Sequence, residues 1–300
     1  MTDSTIESRE TVEAAPPQKR PGSGFLRTFR RNIGAMVGLV ILLIVLVVAI
    51  FGPMLVIDDP WSMATRPFLP PFTNAAFPLG SDLLGRDILT GVVHGTRVSL
   101  IIGALSTLAA LTIGVAIGAL AGYFGGHLDD AMMRFTEFFQ TIPSFLFAIV
   151  LVAILTPSFE TICAAIAIVS WPPIARLVRG EVLSLRSREF VLAAIVTGQT
   201  PWRIITRQVL PNTLSPIIVT ASMMVASAIL LEGGLSFLGL GDPNLMSWGF
   251  MVGSGRTVIR QAWWISFFPG VAIMLTVLAL NLVGEGLNDA LNPRQSRQGH

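Results

Sequence analysis

Six apolar stretches of this chain contain no Asp, Glu, Lys or Arg: Ile33–Ile57, Val98–Gly126, Phe138–Phe159, Thr161–Ala175, Gln208–Leu231 and Gln261–Gly284. A helix needs about 20 apolar residues to cross the hydrocarbon of a bilayer, where each backbone polar group must find its partner within the segment. The runs are continuous in hydrophobicity and do not alternate, which favours helices over a barrel. They predict an all-α integral membrane protein with six transmembrane helices. The fourth run is short, but Arg176 can carry its guanidinium to the interface while its stem stays among apolar groups, so that helix can extend toward Val178. Composition agrees: 52% of the 300 residues are hydrophobic and only 13% charged, against about a quarter charged in soluble domains.

Orientation follows from the basic residues. With the N-terminus inside, fifteen of the twenty Lys and Arg fall on the cytoplasmic side and five outside, namely Arg66, Arg86, Arg97, Arg256 and Arg260. That bias is the positive-inside pattern, and it places both termini in the cytoplasm. The basic balance is explained by topology, so no nucleic-acid partner is called for; membrane lipid is the expected surrounding. The first run is too long for the core of a cleavable signal and lacks a small-residue cleavage site after it. The expected organisation is a disordered cytoplasmic tail over 1–30, a first span over 31–57, and an extracytoplasmic loop over 58–96. A five-helix core follows over 97–287, with a cytoplasmic loop at 180–212, and then a cytoplasmic tail over 288–300.

Several chemistries are excluded. The chain has no G-x-x-x-x-G-K-[ST] phosphate loop and no nucleophile elbow. Cys163 is the only cysteine, and His94, His127 and His300 lie far apart, so neither a disulfide framework nor a metal site is expected. No cofactor and no catalytic residue are predicted. Glu232 is the main ionisable group within a span. An ion or proton relay wants several such groups in series, so a carboxylate near the outer interface, hydrogen-bonded to neighbouring helices, is the preferred reading. Gly114, Gly118 and Gly122 recur every fourth residue and offer one smooth helix face to another backbone.

The segment Arg188–Asn212 is polar in an otherwise oily chain. Helix-forming residues place Phe190, Ala193, Ala194 and Thr197 on one face, Gly198 stops the helix, and Thr200-Pro201 starts a second one with Pro in its first turn. Loops between spans seldom run to thirty residues with helix punctuation at both ends, so an intracellular docking element is expected. In Phe77–Leu100, Gly80 and Gly85 supply turns, Ser81 or Asp82 can cap a short helix, and Arg86 can pair with Asp82 or Asp87. Either a structural elbow or a functional surface fits that stretch.

These motifs carry a resemblance. "AAIVTG" followed by "VLPN" resembles the EAA loop of the transmembrane subunits of ABC importers. "PLGSDLLGRD", "LSFLGLG" at Leu235–Gly241, "SWG" at Ser247–Gly249 and "GEGLNDALNPR" at Gly284–Arg294 are similar to the C-type permeases of the dipeptide, oligopeptide and nickel branch. The resemblance implies a type I ABC importer permease in the bacterial inner membrane, paired with a B-type permease, two ATPase subunits and an extracytoplasmic substrate-binding protein. It further implies that Glu189, Ala193, Ala194, Gly198, Leu210 and Pro211 form the ATPase-coupling loop. Gly80, Asp82, Gly85, Arg86 and Asp87 form an extracytoplasmic motif, and Glu232 and Trp248 are candidates for a gate or pathway position. Where the family's pattern often has Glu before the paired alanines, this chain has Leu192, with Glu189 three residues earlier. A self-contained secondary transporter or channel is the alternative, although it would want paired broken helices or several midplane charges.

Overall fold

The computed structural model describes residues 22–291, and among them the chain is helical, with a lone antiparallel bridge between Ser81 and Asp87 and no named strand. A short helix, α1 (Gly22–Arg31), precedes the first span, α2 (Ile33–Leu55). The predicted tail over 1–30 is therefore helical from Gly22 onward, and its earlier part lies outside the described residues. Asn32 separates the two helices. Its side chain caps α2 by accepting from Ala35 N at 3.0 Å and donates to Asp289 Oδ2 at 3.0 Å. One residue thus satisfies an orphan helix amide and ties the first span to the last.

The loop after α2 ends at Asp87, not at 96. Asp87 caps α3 (Ile88–Phe124) through Thr90 N at 2.9 Å and the Thr90 hydroxyl at 2.6 Å. The helix thus begins ten residues before its charge-free run, because His94 and Arg97 do not interrupt a helix. At 37 residues α3 is about 55 Å long, well beyond the ~30 Å of hydrocarbon.

The third run is not one straight helix: it takes in the last three residues of α4 (Gly126–Gln140) and all of α5 (Ser144–Leu155), and the two helices are bent by 81° across Thr141–Pro143. Pro143 has no N–H to give and its ring disfavours helical backbone at Ile142, so the helix must stop there. At 12 residues α5 is about 18 Å long and cannot cross alone. Five helices among the described residues are long and apolar enough to cross a membrane, and the bent pair brings the number to the expected six when it is taken as one span.

The fourth run lengthens to α6 (Phe159–Arg186), past the expected Val178. Its main partner is α3, through the predicted glycine face. A Cβ at Gly114 would lie 2.7 Å from Ile174 Cβ, one at Gly122 would lie 2.8 Å from the Arg179 carbonyl oxygen, and one at Gly118 would run into the Ala175 carbonyl oxygen. The backbones meet because no side chain stands between them.

The helix α7 (Glu189–Val196) and a single turn, α8 (Pro201–Ile204), follow, then a π segment over Ile205–Val209 that passes straight into α9 (Leu210–Phe237). The second helix of the polar stretch is thus the start of the fifth span and not an independent piece, which reduces the loop to residues 187–200. The short α10 (Trp248–Gly255) and α11 (Trp264–Leu291) complete the chain. The last helix runs four residues into the expected C-terminal tail; the rest of that tail lies outside the described residues. Against α11 and α3 lies α2, leaving the side formed by α4–α5, α6 and α9 uncovered by it.

Candidate functional site

The predicted residues gather at opposite ends of the helical bundle. At the first, α7 is held from behind. Val191 and Ala194 are buried in one cluster with Val178 and Val182 of α6, Tyr123 of α3, and Ile204, Ile205 and Val209. The expected face is therefore split: Phe190, Ala193 and Thr197 are exposed, whereas Ala194 packs on the chain's own core. The paired alanines cannot both open the backbone to another protein. Instead the outward face is apolar and large, with Leu192, Ile195, Val196 at 88% exposure and Trp202 at 68%. Contiguous exposed apolar groups on a polar segment mark an interaction surface.

Gly198 sets the bend. Its φ of +73° is left-handed; its N–H donates to the Ile195 carbonyl at 3.0 Å, and Gln199 N donates to the Ala194 carbonyl at 3.1 Å. These two bonds are the Schellman arrangement that satisfies the last carbonyls of a helix. Glu189 lies in the first turn of α7, exposed, where its charge suits the helix dipole. Pro201 opens the next helix at its first position, and Gln208 Nε2 reaches back to Gln199 Oε1 at 3.0 Å. Leu210 is half-buried and Pro211 exposed just past the π turn, where Leu210 N donates five residues back to Ile205. Pro211 can make no such bond, and a widened turn is one way a helix accommodates the missing donor.

At the other end, residues 80–88 fold inward. Gly80 and Gly85 have φ of +80° and +81°, and a Cβ on either would run into a backbone carbonyl, that of Leu69 or Thr65. No short helix forms here for Ser81 or Asp82 to cap. Asp82 Oδ1 instead closes a turn, accepting from Leu84 N at 2.8 Å and Arg86 N at 2.9 Å, because the positive φ at Gly85 ends any helix at once. Ser81 Oγ accepts from Leu69 N and donates to the Arg66 carbonyl. Arg86 pairs with neither Asp82 nor Asp87. Its guanidinium lies 4.6 Å from the Trp61 ring centroid, a cation–π contact, while Asp87 is engaged in capping α3. The Trp264 indole donates to the Ser81 carbonyl at 3.0 Å. The geometry is that of an elbow packed on α10 and α11.

Glu232 and Trp248 meet beside it. Glu232 is buried, and its Oε1 accepts from Ser236 Oγ at 2.8 Å and from Ser247 Oγ at 2.7 Å. Ser247 also caps α10 by accepting from Phe250 N. Trp248 N donates to Ser99 Oγ at 3.1 Å and its indole N–H to the Val92 carbonyl at 3.0 Å. The carboxylate and the indole thus fasten α10 to α9 and α3, and neither is open to a passing solute.

Sequence reasoning missed one element of the loop-bearing end. Arg179 of α6 grips Asp129 of α4 in a two-point ion pair, Nε to Oδ1 at 2.5 Å and Nη2 to Oδ2 at 2.7 Å. Fifty residues apart, the two carry no local signal; the glycine face that brings Arg179 against Gly122 was the available hint.

Comparison with known proteins places this architecture. Residues 114–297 match the family described as "Binding-protein-dependent transport system inner membrane component", and residues 21–71 match the "N-terminal TM domain of oligopeptide transport permease C". The "Dipeptide transport system permease protein DppC" of Bacillus subtilis (strain 168) is 40% identical over 302 residues, covering 97% of this chain and 93% of that one. A "Di/tripeptide transport system permease protein DppC" of Pseudomonas aeruginosa (strain UCBPP-PA14) is 41% identical over 281 residues, covering 91% and 92%. An "Oligopeptide transport system permease protein OppC" of B. subtilis is 39% identical over 271 residues, covering 89% and 87%. Among solved structures, a chain of the MetNI methionine ABC transporter in an inward-facing conformation superposes with a TM-score of 0.56 at 17% identity, covering 67% of this chain and 96% of that one. That last likeness speaks to the fold alone.

Proposed function

Since the chain belongs to the binding-protein-dependent inner membrane components, as a C-type permease of the peptide ABC importers, we propose how its parts serve ATP-driven uptake. It forms half of a translocation pathway in the bacterial inner membrane, with both termini in the cytoplasm, and a B-type permease forms the other half. Two ATPase subunits engage the loop end, and an extracytoplasmic binding protein delivers peptide to the opposite end, above the 80–88 elbow and α10. The chain supplies geometry and coupling, and ATP hydrolysis belongs to the partners.

One observation carries the coupling role: α7 presents Leu192, Ile195 and Val196 outward while Val191 and Ala194 lock its back to α6 and the start of α9. A load on the outer face is passed to both spans, because the helix has no freedom to slide on the core beneath it. Glu189 at the start of α7 offers a polar contact at the rim of that face.

Val196→Asp tests this. The site is 88% exposed, so folding should change by no more than about 0.5 kcal/mol, whereas a carboxylate in a docked apolar face should weaken association by about 2 kcal/mol, roughly 30-fold. Co-purification of the ATPases and peptide uptake into proteoliposomes should both fall. Retention of both at the unmutated level would remove this face from the coupling pathway.

A further inference from the structure

The α4–α5 elbow, α6 and α9 enclose an open groove of about 560 Å3 on the side that α2 leaves uncovered. Six polar side chains line it: Gln140, Ser144, Ser170, Arg176, Thr220 and Ser227. Thr220 and Ser227 are seven residues apart, two turns along one stripe of α9. Polar groups at membrane depth face a bundle interior or a water-filled path, since lipid offers them no partner. The hydroxyls of Thr220 and Ser227 donate to their own helix, to the Pro216 carbonyl at 2.8 Å and the Met223 carbonyl at 3.1 Å, which leaves their oxygens as acceptors. Gln140 stands at the elbow end of the groove, with its Nε2 buried and without a partner.

Arg176 closes the inner part of this track. It lies about 26 Å along α6 from Phe159 and about 15 Å short of Arg186. Its neighbour one turn away, Arg179, is consumed by Asp129, but Arg176 has no ion-pair partner among the described residues. It also borders an adjoining recess of about 460 Å3 with Asp130, Arg134, Glu137 and Arg179, and neither Asp130 nor Glu137 is within ion-pair reach of it. An arginine is therefore held free between a hydroxyl- and amide-lined groove that contains no carboxylate and a recess that contains two.

We propose that this groove is the chain's wall of the peptide path and that Arg176 is its carboxylate station, receiving the carboxylate of a passing peptide at the inner end of the track. The inference rests on the peptide-importer reading above. A planar guanidinium reads a carboxylate at two points, while the hydroxyl oxygens of Thr220 and Ser227 suit the N–H groups of a peptide backbone of any sequence. Transport requires that such a hold be brief, as conduction sites must release what they bind. Asp130 and Glu137 in the adjoining recess, though beyond ion-pair reach of Arg176, add negative charge that repels a bound carboxylate and keeps the hold weak. The wall that faces this groove comes from the second permease, so the station is complete only in the pair.

The test uses the whole complex, with binding protein, both permeases and ATPases, in proteoliposomes. Uptake is measured for three peptides of one length, carrying net charge −1, 0 and +1, each relative to its rate with the unmutated chain. Arg176→Gln should lower uptake of the anionic peptide about tenfold more than that of the cationic one, the worth of one charged hydrogen-bonded contact. Arg176→Glu should widen that ratio further, and Arg176→Lys should fall between the Gln variant and the unmutated chain, because the charge remains while the two-point fork is lost. Arg176 is exposed, so these variants should assemble; if the Glu variant does not, the Gln variant decides. Equal scaling of all three peptides, or no change, would make Arg176 an interfacial anchor and overturn the proposal. Failure of the unmutated complex to take up any peptide would instead sink the peptide-importer reading, and the station with it.

Discussion

Replacing Gly198 separates backbone conformation from side-chain contact, because a Cβ built there meets nothing within 4 Å in this chain although φ is +73°. Left-handed backbone costs a residue with a Cβ about 1–2 kcal/mol, and a β-branched one lies at the upper end. The two Schellman bonds, from Gly198 N and Gln199 N, contribute a net ~0.5–1.5 kcal/mol each. Strain in Gly198→Val is therefore of the same size as what closes the turn, and the turn should open in a large fraction of molecules. The spans should not notice, since α3 and α6 are joined elsewhere, at Gly114, Gly118 and Gly122. Peptide uptake and coupled ATPase activity should fall about tenfold or more, the equivalent of ~1.4 kcal/mol, while membrane insertion and pairing with the second permease stay normal. Gly198→Asn should transport within about twofold of the unmutated chain, because Asn tolerates the left-handed region, and Gly198→Ala should fall between. Uptake into proteoliposomes, ATPase rate and co-purification are read together on the series. Unmutated transport in the Val variant would refute the strain argument. Damage by Asn equal to that by Val would refute it differently, by showing that a partner fills the open space beside Gly198.

Impermeant thiol labelling checks the topology in a chain whose Cys163 has been replaced: a cysteine at exposed Thr73 should react from outside and one at exposed Ser187 should not, and the reverse at either site would overturn the orientation. The packing of α3 on α6 is checked by a pair of glycines. Gly118→Val, whose Cβ collides with the Ala175 carbonyl, should destabilise the chain by about 1–3 kcal/mol through overpacking, visible as a lower thermal midpoint in detergent. Gly180→Ala, with nothing within 4 Å, should be neutral or raise the midpoint through better helix propensity, worth about 0.5–1 kcal/mol.

Five of the six charge-free runs correspond to single helices because hydropathy and length determine whether a segment can lie in lipid. The third run failed as a unit because hydropathy has no direction in it. Thr141-Ile142-Pro143 is apolar enough to be counted as membrane, yet Pro143 turns the chain by 81°. Gly198 was legible as a helix stop since glycine there satisfies a backbone rule, whereas the burial of Ala194 was not, for it depends on Val178 and Val182 arriving from another helix. The same distinction runs through the outer end. Ser236 lies one turn from Glu232 and could be foreseen as its partner; Ser247, fifteen residues away, could not. By charge alone Arg86 is an ion-pair donor, yet its guanidinium lies over the Trp61 ring, 4.6 Å from the centroid, because Asp82 and Asp87 are occupied with backbone amides.

The π segment Ile205–Val209 makes residue count as consequential as residue identity. Each residue of an α-helix turns the chain by about 100°, so one surplus residue in a single turn rotates everything before it by that angle relative to everything after. The azimuth at which Trp202 and the Gly198 bend project from the bundle is fixed against α9 by that surplus. Removing one residue between Pro201 and Pro211 would leave two good helices and an unchanged hydropathy profile, yet aim the outward face of α7 at a different side of the molecule. Within Ile205–Val209 a substitution at exposed Arg207 keeps that azimuth, whereas an insertion or deletion does not.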